Sequence, residues 1–301
     1  MEKRKKRLGD RKDGYLVRNL DGMHFIVPLL YPNRCDNEAF ISERIDITAA
    51  QEFLREKNAG DPEFKYTLFH LVVAALLKTI NQRPKMNRFI ANKNIYQRNE
   101  LTAAFVVKKQ FSDESEEALA VVRANDDTTI DSIHEDIYRQ ITACRSEKKD
   151  TSTDAMDMFN KMPRVISKTI IAFIRFLDRH GKVPLSLIGT DPYYCTAVLT
   201  NLGSIKLKSG YHHLTNWGTN SVFVAIGEVK DRPFYNEDGT YEMRPSLDLG
   251  ITIDERIADG YYYSKTVRLL KYLLEHPQEL DKPAAEKVDY DGKQHSKSPV
   301  A

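Results

Sequence analysis

Chemistry in this chain is expected where a predicted strand ends in a charged turn, between Ser246 and Gly260. The residues before the turn alternate, with apolar side chains at Leu247, Leu249, Ile251 and Ile253. This period of two is typical of a half-buried strand. If the alternation continues, Glu255 lies on the apolar side and Asp254 on the solvent side. A carboxylate on a covered face is destabilising unless it is paired, neutralised or used, so this turn is the first candidate for a functional site.

A second polar group stands at a predicted strand end, at Thr200. The sequence lacks a P-loop, a dinucleotide glycine fingerprint, a metal-binding cysteine or histidine spacing and a serine-nucleophile elbow. His212 and His213 are adjacent, and adjacent side chains on regular structure do not face one ligand, so we expect no metal site. By elimination, any chemistry depends on polar groups near Thr200 and Glu255.

The composition is that of a globular protein without a strong charge bias. Of 301 residues, 41% are hydrophobic, and 45 basic residues face 43 acidic ones, which gives a net charge of +2. This balance gives no general reason to expect a nucleic-acid partner. The basic residues near the start predict a solvated tail over residues 1–14.

The cysteines and the apolar segments predict a cytoplasmic location without membrane contact. Cys35, Cys144 and Cys195 lie far apart, in no metal spacing and no disulfide framework, which fits a reducing compartment. No signal peptide is recognisable at the start. The most apolar helical run, 165–177, is interrupted by Lys168 and Arg175 and is too short to span a bilayer.

Strands and helices alternate irregularly along the chain. Strands are predicted at 24–30, 40–47, 101–108, 118–123, 194–200, 221–230 and 241–253, with an acidic loop at 113–117. Helices are predicted after Thr48, at 66–83, around 130–141, at 156–179 with a break at Pro163, and at 263–274. His70, within the long apolar helix, is predicted to be a core histidine with a local partner. This order favours one α/β domain with helices on one face of a mixed sheet.

The motifs in the second half resemble the chloramphenicol acetyltransferase-like superfamily, which includes the catalytic cores of the dihydrolipoamide acyltransferases of 2-oxo acid dehydrogenase complexes. The turn Asp254-Glu255-Arg256-Ile257-Ala258-Asp259-Gly260 is similar to the family's Asp-His-Arg-x-x-Asp-Gly, and Leu199-Thr200-Asn201-Leu202-Gly203 is similar to its Ser-Asn-Leu-Gly strand end. Ala225-Ile226-Gly227 followed by Lys230-Asp231-Arg232-Pro233 is similar to its Gly-x-x-x-x-Arg-Pro segment. The resemblance covers roughly residues 20–280.

The resemblance implies a fold and an organisation. The fold is a two-layer α/β sandwich, a mixed β-sheet with helices packed on one face. The domain occupies residues 15–280, with a disordered tail expected at 281–301 and no role assigned to the stretch 145–192. Because no lipoyl or subunit-binding segment precedes the core, we expect a stand-alone protein. The resemblance further implies a homotrimer with active sites between subunits.

The resemblance also implies a mechanism. In the family, a histidine of the turn acts as general base on a thiol or hydroxyl acceptor, which attacks a coenzyme A or lipoyl thioester. A serine or threonine hydroxyl stabilises the oxyanion, a role that falls to Thr200. Asp259 takes the role of the aspartate that pairs with an arginine and holds the turn, and Asn201 and Arg256 are expected to contact substrate. Glu255 stands at the position of the histidine.

This replacement leaves three hypotheses open. A glutamate near pKa 4.3 and a thiol near 8.5 are mismatched by about 4 units, or roughly 6 kcal/mol; burial would narrow that gap and Arg256 would widen it. In the first hypothesis, the protein is an acyltransferase that uses Glu255 as base, or that depends mainly on substrate positioning and on Thr200. In the second, it is an inactive relative that keeps the trimeric fold for binding or assembly. In the third hypothesis, His212 or His213 replaces the missing histidine.

Overall fold

Two β-sheets of different size form the framework of this computed structural model, which describes residues 5–108, 117–145, 161–189 and 191–290. The strands are β1 (Gly14–Leu16), β2 (Glu38–Asp46), β3 (Arg88–Ala91), β4 (Asn94–Arg98), β5 (Leu101–Lys108), β6 (Glu117–Ala124), β7 (Ala197–Asn201), β8 (Val222–Tyr235) and β9 (Tyr241–Asp254). The main sheet has the order β2-β9-β8-β7-β5-β6, and the small one β1-β4-β3. In the main sheet, β7 runs parallel to β5 and β8, and the other pairs are antiparallel.

Of the seven helices in the described residues, those at 48–57, 68–82, 130–145 and 260–275 cover one face of the main sheet. The seven helices are α1 (Gly22–Leu30), α2 (Thr48–Lys57), α3 (Leu68–Gln82), α4 (Ile130–Arg145), α5 (Arg164–Arg179), α6 (Leu185–Ile188) and α7 (Gly260–Glu275). Helix α3 is buried from His70 to Ile80 and packs between α4 and α7, as its nearly continuous apolar sequence predicts. The predicted fold class, a mixed α/β sheet with helices on one face, is confirmed. No helix among the described residues is long and apolar enough to cross a bilayer.

His70 has the structural role that the sequence predicts. Its Nδ1 accepts a hydrogen bond from the backbone N–H of Thr67 at 3.0 Å and lies 2.8 Å from the Thr67 hydroxyl. The ring is buried. These contacts close the N-terminus of α3, so His70 belongs to the core.

The first predicted strand is wrong, because residues 24–30 lie in helix α1. Asp21 caps this helix by accepting from the His24 N–H at 2.9 Å. The apolar sequence of this segment suggested a strand. Because the segment has no neighbouring strand in either sheet, it cannot form strand pairing and is helical instead.

Both predicted tails are partly folded. Arg11, within the expected basic tail, is buried and pairs with Asp13 and with Asp178 of α5. At the other end, Lys78 donates to the backbone carbonyls of Glu279, Lys282 and Pro283. Residues 281–290 therefore continue the packed chain, and 291–301 lie outside the described residues. Residues 113–116 of the acidic loop and 146–160 also lie outside them.

Candidate active site

Thr200 lies near the C-terminal end of β7, in register with Ala225 of β8 and, through it, with Gly250 of β9. Its side chain shares a sheet face with Val198, two residues earlier. Val198 belongs to a small apolar cluster on the face that the main helical core does not cover. The Thr200 hydroxyl has no hydrogen-bond partner among the described residues and is half-buried, so it is free to donate to a substrate.

The structure reverses the predicted orientations of Asp254 and Glu255. Asp254 is fully buried and Glu255 is exposed. The strand ends at Asp254, and Glu255–Ile257 form a 3₁₀ turn, so the alternation of the strand does not extend to Glu255. The Glu255 N–H donates to the Asn37 carbonyl at 2.9 Å, which fixes its backbone while the carboxylate remains accessible. Within one chain, Glu255 therefore lacks the burial that would bring the pKa of a glutamate closer to that of a thiol.

A buried ion pair holds the turn in shape. The Arg256 guanidinium donates to both oxygens of Asp254, from Nε at 2.7 Å and from Nη2 at 2.6 Å. Its Nη1 donates to the Tyr31 carbonyl at 2.8 Å, which ties the turn to the end of α1. Such a bidentate pair fixes geometry as well as charge. Arg34, with Nε at 3.7 Å from Asp254, places a second cation beside the same carboxylate.

Asp254 therefore makes the arginine pairing that we expected of Asp259. The Asp259 carboxylate instead accepts from the Tyr262 N–H at 2.8 Å and caps α7. This backbone hydrogen bond holds the pKa of Asp259 below its usual range. Tyr263 completes the turn from below, donating to the Asp254 carbonyl at 3.1 Å and accepting from the Ala258 N–H at 3.2 Å. Asp259 supports the turn through the helix rather than through an arginine.

The two expected substrate contacts have different surroundings. Asn201 is exposed next to Thr200, and its side-chain oxygen accepts from the Ser204 N–H at 3.2 Å. Arg256 is almost completely buried, and its guanidinium is occupied by Asp254 and Tyr31. Asn201 remains available to a ligand, whereas Arg256 chiefly maintains the turn.

Within one chain, Thr200 and the Glu255 turn do not meet. Thr200 is level with Gly250, whereas the turn follows Asp254, four residues farther along β9. Strand spacings convert this offset to roughly 13 Å along the strands and 10 Å across two of them, or about 16 Å in total. Within one chain, a single ligand atom therefore cannot contact both side chains.

A segment crosses the sheet face that carries Thr200. A Cβ added at Gly250 would lie 1.9 Å from the Gly210 carbonyl oxygen, and one at Gly227 would lie 2.5 Å from the Ser209 N atom. Only glycine permits these approaches. The crossing places His212 on the ring of Phe223, with centroids 4.2 Å apart. Phe223 is in register with Val198, so His212 lies on the same sheet face as Thr200.

Sequence reasoning missed this crossing and the partners of Asp254. The signal for the crossing was present, because Gly227 and Gly250 interrupt otherwise apolar strands and interior strand glycines mark close backbone approach. Arg34 carried no comparable signal. It lies more than two hundred residues before Asp254, and only the pairing of β2 with β9 brings its loop to the turn.

Large apolar side chains surround the turn on the outside of the chain. Helix α1 exposes Met23, Phe25 and Leu30, each by more than 60%. Phe40, on the edge strand β2, is 53% exposed and packs against Tyr211 with centroids 5.2 Å apart. An apolar surface of this kind is typical of a protein interface.

Comparison with known proteins agrees with this architecture. Residues 194–281, less than a third of the chain, match the family model of the 2-oxoacid dehydrogenases acyltransferase (catalytic domain). No curated protein matches the chain. The matched segment includes Thr200, the crossing segment, both long strands and the Glu255 turn.

Solved structures show the same fold at low sequence identity. A probable dihydrolipoamide acetyltransferase from Listeria monocytogenes 4b F2365 is 15% identical, covers 91% of this chain and 97% of its own, and has a TM-score of 0.56. The dihydrolipoamide acetyltransferase (E2p) of Azotobacter vinelandii is 14% identical, with 88% and 93% covered and a TM-score of 0.57. A chloramphenicol acetyltransferase is 13% identical, with 87% and 99% covered and a TM-score of 0.54. The chain therefore has the chloramphenicol acetyltransferase-like fold.

Proposed function

We propose that this protein is an acyltransferase that moves an acyl group from a coenzyme A thioester to a thiol or hydroxyl acceptor, at sites between the copies of a homotrimer. The observation that carries the proposal is the separation of Thr200 from the Glu255 turn. Each group is accessible, each has a constrained backbone, and one chain cannot bring them together. A neighbouring copy would supply the missing half of each site.

The chemistry assigns one step to each side chain. The Glu255 carboxylate takes the proton of the acceptor as its sulfur or oxygen forms a bond to the thioester carbonyl carbon. The Thr200 hydroxyl donates a hydrogen bond to the resulting oxyanion. Collapse of the tetrahedral intermediate breaks the carbon–sulfur bond, and the proton passes from Glu255 to the leaving thiolate.

Three observations support this assignment. The mechanism of the Azotobacter enzyme was investigated at a serine, a histidine and an asparagine, and this chain offers Thr200 and Glu255 where the resemblance places the serine and the histidine. The buried pair of Asp254 and Arg256 also preserves the turn, although the histidine is gone. The exposed residues of α1 and Phe40 supply an apolar contact surface beside that turn.

A catalytically inactive relative is the second candidate, favoured by the replacement of the base. It would keep the trimeric fold for binding or assembly. An ordinary glutamate and a thiol differ by about 4 pKa units, which makes a glutamate a weaker base for a thiol than the imidazole of histidine. Glu255 would need less basicity if the acceptor ionised more readily. It would also need less if catalysis came mainly from holding the substrates in position.

The test measures thiol release from acyl-coenzyme A with a panel of thiol and hydroxyl acceptors. We expect Glu255→Gln and Thr200→Ala each to lower the rate at least about tenfold. Glu237→Gln, an exposed loop change of the same type, serves as the control and keeps the rate. No turnover by the unaltered protein with any donor and acceptor would refute the enzymatic proposal and favour the inactive relative.

A further inference from the structure

A polar pocket of about 570 Å³ lies beside the turn that carries Glu255. It is bounded by the loop before β2, the β3–β4 turn, the end of α5 and residues 216–218. Five cationic side chains line it, namely Arg34, Lys93, Arg175, Arg179 and Arg256. We propose that this pocket binds the phosphate groups of the acyl donor. The inference rests on the proposed acyltransferase function and specifies which part of the donor this chain recognises.

The carboxylates near the pocket are already engaged. Asp178, the acidic residue of its lining, pairs with Arg11 at 2.7 Å. Asp254, behind the floor, is held by both nitrogens of the Arg256 fork. Asp254 is shared between Arg256 and Arg34, so these two carboxylates do not balance the five cations and the pocket carries an excess of positive charge.

Arg34 at the floor is incompletely paired. It is 5% exposed, and its two terminal nitrogens donate to the carbonyls of Thr215 and Ile90. Its Nε has no hydrogen-bond partner and lies 3.7 Å from the nearest Asp254 oxygen. Burial removes the charge of Arg34 from solvent and lowers its pKa, an effect that the neighbouring Asp254 opposes. An anion in the pocket would stabilise that charge.

The cations at the rim point to the same ligand. Lys93, Arg175 and Arg179 are exposed and form no ion pair with any residue that the structure describes. Like charges around a concave surface repel one another and raise the local positive potential. The planar guanidinium groups of arginine match phosphate oxygens in geometry. Arg175 and Arg179 belong to α5, so part of the stretch 145–192 gains a specific role.

The location of the pocket favours a phosphorylated carrier over a lipoyl donor. Arg256 lies at the pocket and is the residue directly after Glu255. In a coenzyme A thioester, a long flexible arm joins the phosphates to the reacting carbonyl, so phosphates anchored beside the turn leave the thioester free to reach the site between copies. A lipoyl thioester has no phosphate to occupy such a site.

The test is calorimetric binding of coenzyme A and of pantetheine, which lacks the phosphates. In the Arg175→Gln/Arg179→Gln double variant, we expect coenzyme A binding to weaken at least about tenfold, because two charge-assisted hydrogen-bond donors are lost. Pantetheine affinity should stay the same. Lys93→Gln should weaken coenzyme A binding to a smaller extent, and inorganic pyrophosphate should compete with coenzyme A in the unaltered protein.

Arg164→Gln is the matched control, because it removes the same charge from an exposed position of α5 outside the pocket. Equal coenzyme A affinity in the double variant and the unaltered protein would overturn the inference. The two proposals also fail separately. If coenzyme A binding depends on Arg175 and Arg179 but no turnover is observed, the phosphate site is supported and the proposed reaction is refuted. If turnover occurs and the double variant leaves it unchanged, the reaction is supported and the phosphate site is refuted.

Discussion

Thr200 and Glu255 lie two strands apart and about 16 Å from each other by strand spacing, with Thr200 level with Gly250 and Glu255 beyond the end of β9. Both residues lie outside the main hydrophobic core of the chain. This separation makes the proposed reaction depend on assembly, because one copy supplies the hydroxyl and the next supplies the turn.

Complementation between two impaired variants tests this dependence. When Thr200→Ala and Glu255→Gln chains are co-expressed and assemble at random, roughly a quarter of the subunit contacts combine an intact Thr200 with an intact Glu255. We therefore expect the mixture to regain about a quarter of the unaltered rate, measured as thiol release from acyl-coenzyme A.

Each variant expressed alone is the control for that mixture and should keep at most about a tenth of the unaltered rate. Activity in the mixture no higher than in either variant would contradict a site shared between copies. Sedimentation of both variants as the same oligomer as the unaltered protein would exclude failed assembly as the reason.

His212 offers a direct test of the base. It is the histidine stacked on Phe223, on the sheet face of Thr200, and His213 is its exposed neighbour. With Glu255 as the base, His212→Gln and His213→Gln should each leave the rate within about threefold, against the loss of one hundredfold or more typical when a general base is removed. A loss confined to His212→Gln, together with an active Glu255→Gln variant, would transfer the role to His212.

The Asp254–Arg256 pair is predicted to dominate the stability of the turn. Both groups are buried, and removal of one member leaves an uncompensated buried charge. Asp254→Asn should therefore lower the free energy of unfolding by about 3–5 kcal/mol, measured by urea denaturation.

A surface pair provides the comparison for that change. Arg44→Gln removes a partner of Asp248 from a half-exposed ion pair and should lower the free energy of unfolding by less than about 1 kcal/mol. Similar losses in the two variants would show that the buried pair has no special role in the turn.

His70 should make stability depend on pH. Burial first, and then the nearby His134, lower the pKa of His70 from 6.5 to about 4. Because the folded state takes up this proton less readily than the unfolded state, the contribution is complete above pH 6.5 and is lost as the pH falls towards 4. The loss amounts to at most about 3 kcal/mol.

Urea denaturation at several pH values between 7 and 4 measures this effect in the unaltered protein and in His70→Asn. The variant should show a flatter dependence, and His213→Asn, at an exposed histidine, should retain the original slope. Parallel curves for all three proteins would show that His70 does not couple folding to protonation.

The sequence predicted the layered architecture because that information is local. The alternation from Leu247 to Ile253 matches β9, and the continuous apolar run of α3 matches its buried position. The local partner predicted for His70 is Thr67, only three positions away. Patterns of this kind depend on the strand and helix periods, which the chain carries without its neighbours.

Local pattern was less informative where a segment's partner is distant. The apolar residues 24–30 have no strand beside them, so they form α1 instead of the predicted strand. Asp254 and Glu255 exchange the predicted orientations because β9 ends at Asp254 and Arg256 turns back to pair with it. The end of a strand is set by its pairing and not by its own alternation.

The sequence by itself determined the sheet-and-helix framework and the two polar positions, Thr200 and Glu255, around which a site was predicted. Only the tertiary structure decided that these positions are apart within one chain, that Asp254 rather than Asp259 holds the turn, and that α5 brings Arg175 and Arg179 to the Arg34 pocket. The reason is physical: periodicity records which face of an element is buried, whereas strand register and ion pairing between distant segments depend on the whole chain having folded.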